Sequence, residues 1–125
     1  MPVVVTAAET PLGRRVVARL LAEGAEVRAL VDEPTSDLGV PTALAVWDDA
    51  ERVGAVLEGA HTVVHLAGRK RVPDLLAAAE DSGVVRIVTT VPFAAAYEVV
   101  VVPVPRWRAD LDAVADALVA ADRRR

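Results

Sequence analysis

The sequence predicts a three-layer α/β domain around a mainly parallel sheet. Three observations predict it. First, short apolar runs alternate along the chain with segments whose apolar residues recur at helical spacing, the pattern of strands joined by helical crossovers. Second, the chain is 54% hydrophobic but only 3% aromatic, so Val, Ala and Leu must do the packing, as in buried parallel strands flanked by Ala-rich helices. Third, the chain opens with a strand, a tight turn and an amphipathic helix: Val3–Thr6, then Ala7–Thr10, then a helix to Leu21 and beyond.

Val3 to Thr6 is a continuous apolar run suited to the centre of a parallel sheet. Leu12, Val16, Val17, Leu20 and Leu21 predict a helix from about Pro11 to Glu23. Thr10 is its expected N-cap, Pro11 fits the first helical position, and Gly24 ends it at C′. Ala25 to Val31 is the second strand, with Asp32 at its carboxyl end. Glu33 to Pro41 carries loop chemistry in Pro34, Thr35, Ser36, Asp37, Gly39 and Pro41. Thr42 to Val46 is a short third strand running into Trp47-Asp48-Asp49, and Ala50 to Leu57 is a brief helix closed by Gly59. Thr62 to Leu66 is the fourth strand, and Ala67-Gly68 turns out of it. Val72, Leu75, Leu76 and Ala79 mark a helix stopped by Ser82-Gly83, and Val84 to Thr89 is the fifth strand.

The remainder is less regular. Glu98 to Val104 is an intensely apolar strand closed by Pro103 and Pro105. The connection before it looks too short for a parallel crossover, which takes a dozen or more residues. Three arrangements stay open: an antiparallel edge strand, a short helix squeezed in between, or pairing with another chain. Leu111, Val114, Ala115, Leu118 and Val119 predict a final amphipathic helix, with Arg123-Arg124-Arg125 at its negative end.

Composition bounds the function. At 125 residues the chain is expected to form a single domain, with no internal repeat or low-complexity linker. A net charge of −4 and a pI of about 5.1 argue against nucleic acid or an anionic membrane surface as partner. The absence of Cys excludes disulfides, thiolate metal sites and cysteine nucleophiles. No apolar run approaches the roughly 20 residues of a spanning helix, and Met1-Pro2-Val3 lacks a basic signal-peptide start. The sequence is expected to be an entire, soluble, cytoplasmic chain.

Taken in order, these residues resemble the extended and atypical short-chain dehydrogenase/reductases of the NAD-dependent epimerase/dehydratase type. Thr6 to Gly13 lies where that family has Thr-Gly-Ala-x-Gly-x-x-Gly, and the Arg14–Leu21 helix follows. Glu26–Val31 looks like its second strand, Val63–Gly68 its fourth strand and cofactor-side turn, and Val84–Val88 its fifth. Asp110–Leu118 is similar to a helix found much later in such enzymes. The resemblance implies a minimal, shortened Rossmann-like domain with strand order 3-2-1-4-5 plus a terminal strand. It also implies a nucleotide crevice at the switch point between strands one and four, with Ala7, Thr10, Gly13, Asp32, Asp48, Ala67 and Gly68 as the positions that would meet a dinucleotide. Asp32 would meet a ribose 2′-OH and so favour NAD over NADP, and Asp48 would lie near the adenine.

The departures from the family pattern carry the expectation about function. Of the three motif glycines, the positions for the tight turn and for close approach of the pyrophosphate hold Ala7 and Thr10. Only the helix-packing Gly13 remains. Glu9 adds a carboxylate where a helix N-terminus would attract an anion. The family's catalytic Tyr-x-x-x-Lys cannot exist: the only Tyr is Tyr97, position 101 is Val101, and the only Lys, Lys70, precedes it. Thr89 or Thr90 could match the family's Ser/Thr, but reads as a strand-end hydroxyl. His65 reads as a packed residue, Asp48-Asp49 as an N-cap pair, and Arg69-Lys70-Arg71 as a solvated helix start at the crevice. Trp47 and Trp107 are scarce large aromatics, each suited to core packing or, for Trp107 between two arginines, an interface.

The expectation is therefore a pseudoenzyme with no catalytic residue, no metal site and no cofactor, NAD being the one favoured if any is kept. Missing helices after strands two and five would bare sheet surface, which a homodimer or a protein partner would cover. The alternative is a sensor or oxidoreductase/epimerase-like protein that still binds NAD(P) in the crevice.

Overall fold

A computed structural model describes residues 2–102 and 111–123. Among these, six parallel strands form one sheet: β1 (Val3–Thr6), β2 (Val27–Val31), β3 (Thr42–Leu44), β4 (Thr62–His65), β5 (Arg86–Thr89) and β6 (Glu98–Val101). Their order is β3-β2-β1-β4-β5-β6, so the chain reverses direction across the sheet between β1 and β4. That reversal opens a crevice at the carboxyl ends of these two strands. The sheet is flanked by helices α1 (Pro11–Ala22), α2 (Ala50–Leu57), α3 (Val72–Ala79) and α4 (Leu111–Arg123). Among the described residues no helix is long and apolar enough to cross a membrane.

Alternation along the central strands divides the core into two layers. Val3 and Val5 of β1, Ala29 and Val31 of β2, Val64 of β4 and Val88 of β5 face α1 and α4, and pack on Val16, Val17, Leu20, Leu118 and Val119. Val4, Leu30, Val63 and Ile87 face the other way, against Val53, Leu57, Leu75 and Trp47 from the α2–α3 side. The central strands are buried on both faces, which is why they read as unbroken apolar runs. Gly24 takes φ +79° after α1, and the N–H groups of Gly24 and Ala25 close on Leu21 and Leu20 carbonyls, the C′ turn its position predicts.

The terminal strand differs from all three sequence-based arrangements. β6 is parallel to β5, in register Arg86↔Glu98 to Thr89↔Val101, within the same chain and without an intervening helix. Residues 90–97 make the crossover alone. Eight extended residues reach about 26 Å, more than enough to run back along four strand residues and cross to the neighbouring strand. The usual dozen-residue minimum reflects a helix that this connection does not contain. β2 starts at Val27, later than its apolar run, since the Ala25 N–H goes to the Leu20 carbonyl. β6 is assigned to Val101, with the Val102 N–H still donating to the Thr89 carbonyl, and Pro103 and Val104 lie outside the described residues.

Among the described residues, the expected bare surface shows on one side only. After β2, Leu38 and Val40 of the loop fold back against the α1-side core in place of a helix. On the same side beyond β5, α4 supplies the cover. On the opposite side of β5 and β6, Phe93 and Tyr97 pack at the margin of the core, while Val85 is 49% exposed and Val101 39%.

Arg86 ties this end together. Its side chain is 7% exposed, and its guanidinium donates to the Asp122 carbonyl near the end of α4. The same guanidinium lies 3.3 Å from Glu98 of β6 and 3.8 Å from the Asp122 carboxylate. Hydrogen bonds to charged groups contribute about 1.5–3 kcal/mol each, and burying a cation costs free energy unless it is paired. Arg86→Met should therefore lower unfolding stability by about 1–3 kcal/mol, read as a fall in the denaturant midpoint. Hydrogen exchange should rise in β6 and α4 before it rises in β1.

Candidate functional site

The crevice is built from four chain reversals at the carboxyl ends of the strands. The first is the turn between β1 and α1. Ala7 stands there at φ +51°, a left-handed conformation usually left to glycine. The turn thus holds a left-handed residue without a glycine, at a strain of about 1–2 kcal/mol. Thr10 caps α1: its Oγ1 accepts from the Gly13 N–H at 3.1 Å and donates to the Ala7 carbonyl at 2.7 Å. A Cβ on Gly13 would stand 2.3 Å from the Ala7 oxygen and 2.7 Å from the Ala8 Cα. Gly13 is where the helix touches the turn that follows β1.

The second reversal, after β2, brings Glu9 and Asp32 together. Glu9 Oε2 accepts from the backbone N–H groups of Asp32 at 2.9 Å and Glu33 at 3.0 Å. Glu9 Oε1 is buried and has no hydrogen-bond partner. Asp32 Oδ1 in turn accepts from the Trp47 indole N–H at 2.7 Å, which draws the end of β2 onto the third reversal, after β3. Trp47 is buried among the α2-side core residues. Asp49 caps α2 through the Arg52 N–H, whereas Asp48 is exposed and does not cap, so the expected pair is a single cap.

The fourth reversal follows β4. His65 is fully buried, edge-on to Trp47 with ring centroids 6.2 Å apart. Its Nε2 lies 2.8 Å from the Gly68 carbonyl, which can only accept, so Nε2 carries the proton. In the neutral ring Nδ1 is then an acceptor, and the Thr6 hydroxyl, 3.0 Å away, donates to it. Thr6 Oγ1 accepts from the N–H groups of Leu66 at 2.8 Å and Ala67 at 3.1 Å. One donor and two lone pairs are all used. Burial holds the His65 imidazole below its ordinary 6.5, with the Gly68 bond and the Asp32 charge acting in the opposite direction. Protonation would place an N–H against a hydroxyl oxygen that already takes two donors.

The sequence-derived positions are thus brought together in part. Ala7, Thr10, Gly13, Asp32, Ala67 and Gly68 lie on the turns at the carboxyl ends of β1, β2 and β4, while Asp48 is exposed and makes no contact that joins it to them. Arg69 and Lys70 are exposed on a 3-10 turn that follows Gly68, and Arg71 pairs with Asp74 at 3.5 Å. Thr89 accepts from the Val91 N–H, a strand-end hydroxyl as read from sequence. Tyr97 precedes β6 directly, which puts it at the opposite end of a parallel sheet from the crevice. Trp107 lies outside the described residues. Sequence reasoning missed the Trp47–Asp32 bond and the Glu9 carboxylate's place on β2. No spacing rule signals either, because the partners are 15 and 23 residues apart.

No family model matches the chain, and no curated protein matches it. Solved structures do. The chain is similar to a UDP-glucose 4-epimerase of Thermus thermophilus in complex with NAD, at 26% identity and a TM-score of 0.59, over 70% of this chain and 36% of that one. It is similar to the uronate dehydrogenase of Agrobacterium tumefaciens at 28% identity and a TM-score of 0.59, over 70% and 39%. An anaerobillin reductase from Escherichia coli matches at 21% identity and 0.59, over 71% and 50%. The structural neighbours are NAD-dependent epimerase/dehydratase-type, short-chain-dehydrogenase-like proteins, and this chain is a short Rossmann-like α/β fold beside them. It spans a third to a half of the length of those it matches.

Two outcomes follow from the site's geometry. A His whose folded pKa lies below the unfolded 6.5 leaves stability unchanged at higher pH. As pH falls through 6.5 the unfolded chain binds the proton first and stability drops. Urea titrations from about pH 7.5 to about pH 5 should show that loss, and His65→Gln should remove its His65 component; an identical pH profile in the variant would refute the assignment. In the β1–α1 turn, Ala7→Gly should be neutral to stabilising by up to about 1 kcal/mol. Gly13→Ala should destabilise by about 1–3 kcal/mol or more, both measured by thermal unfolding.

Proposed function

We propose that this chain is a non-catalytic Rossmann domain that works through a protein contact, with a second copy or a protein partner covering the bare side of β5 and β6. The observation that carries this reading is the crossover formed by residues 90–97. It contains no helix, so among the described residues the α3 side of β5 and β6 offers no platform from which a Tyr and a Lys could be held over the crevice, and Val85 and Val101 stand exposed instead. Exposed apolar surface of this kind is what protein contacts cover. Tyr97, at the other end of β6, supports the same reading.

The residues present do not fit a dinucleotide as they stand. In a Rossmann crevice the phosphates approach the second motif position, and the acidic residue after β2 holds the ribose. Here Thr10 places a branched side chain at the first place, and at the second Asp32 is bonded to Trp47 while Glu9 sits on the neighbouring amides. A second reading, a nucleotide sensor in which NAD is held by Gly13, Asp32 and the Ala67–Gly68 turn, is favoured by the left-handed conformation of Ala7 in the turn after β1.

Calorimetric titration with NAD, NADH, NADP and NADPH separates the two. The non-catalytic reading expects no saturable heat up to millimolar ligand. Micromolar binding would establish the sensor reading in its place. Light scattering at high protein concentration should show a dimer, or pulldown a stoichiometric partner; a monomer without a partner would count against the contact.

A further inference from the structure

Glu9 is the residue of the crevice that neither the fold nor the motif requires. It is the residue before the N-cap of α1, yet its side chain turns back into the protein. Oε2 takes the amide protons of both Asp32 and Glu33, and Oε1 is buried with nothing to bond to. Among the described residues no Lys, Arg or His side chain forms a salt bridge with it. The cation contact at this residue, from Arg14 Nε, goes to the Glu9 backbone carbonyl at 2.9 Å instead.

What holds the charge is therefore backbone: two convergent N–H groups at the end of β2, and the positive end of α1 just beyond the Thr10 cap. Adjacent amides beside a helix N-terminus form an anion-binding concavity. In this chain the anion is covalently attached. A carboxylate held only for the stability of the turn would be expected to satisfy both oxygens; this one leaves Oε1 orphaned in a buried position, a cost that the turn itself does not need. Asp32 Oδ1, the neighbouring acceptor, is likewise directed inward, to Trp47.

We infer that Glu9 is a built-in anion that occupies the backbone amides at the end of β2, where the adenosine ribose of a dinucleotide would lie, and so excludes nucleotides from the crevice. The inference rests on the proposed loss of dinucleotide binding and assigns it to one side chain. Three consequences follow. The two amides become available when the carboxylate is removed. Restoring the motif glycines alone leaves the exclusion in place. A neutral side chain that still accepts from the amides lifts only the charge.

The test uses four forms of the full chain: wild type, Ala7→Gly/Thr10→Gly, and that double variant with Glu9→Ala or with Glu9→Gln. Each is titrated with NAD and with AMP, after cooperative unfolding has shown that it folds. The Glu9→Ala form should bind both ligands at least about tenfold more tightly than the double variant, roughly the 1.4 kcal/mol of one decade, with Glu9→Gln between them. Equal affinity of the double variant and its folded Glu9→Ala form would overturn the inference while leaving the non-catalytic reading intact. Micromolar NAD binding by wild type would overturn the reading and the inference together. Should Glu9→Ala fail to fold, Glu9→Gln decides alone: affinity no tighter than the double variant refutes the role of the charge.

Discussion

The close approach of α1 to the end of β1 organises one whole side of the molecule. At Gly13 the helix lies so near the Ala7 carbonyl that no side chain fits between them. That contact fixes the height and direction of α1 over the sheet, and α4 then packs along α1. Arg15 and Arg19 meet Asp112 and Asp116 across the helix pair at 3.1 and 3.0 Å, while Leu118 and Val119 enter the shared core. These exposed ion pairs add little energy; they fit a pairing that apolar burial drives. Gly13 is the position at which this contact leaves no room for a side chain.

The far side of the sheet follows a different logic. A parallel sheet needs cover on both faces, and two crossover helices are missing. Leu38 and Val40 replace one with loop side chains. The other is replaced on the α1 side by α4, fastened through Arg86, and is left open on the α3 side at Val85 and Val101. The helix-free crossover of residues 90–97 and the exposure of Val85 and Val101 are thus one structural feature seen from two directions, and both parts of the proposed function rest on it.

At the carboxyl ends of the central strands the polar groups turn to one another. Thr6, His65 and Gly68 satisfy one another, Trp47 binds Asp32, and Thr10 closes the amide at the start of α1. Polar groups at a buried strand end must find partners. The chain supplies them from its own residues, and Glu9 is the clearest instance.

Much of this was legible in the sequence. Periodicity and punctuation placed the helices α1 to α4 and the N-cap at Thr10, because each rests on contacts between near neighbours, while the strand order through β5 and the packing role of Gly13 came from the resemblance to a known family pattern. The lack of a Tyr-x-x-x-Lys needed only a count of residue types. The parallel course of β6 was not legible, since a helix-free crossover breaks the usual length rule and only the sheet's register reveals it. Nor were the substitutes Leu38 and Val40, the inward turn of Glu9, or the Trp47–Asp32 bond. Those depend on which strand ends are brought together, and a side chain's partner across the sheet is chosen by three-dimensional distance, which spacing along the chain does not encode.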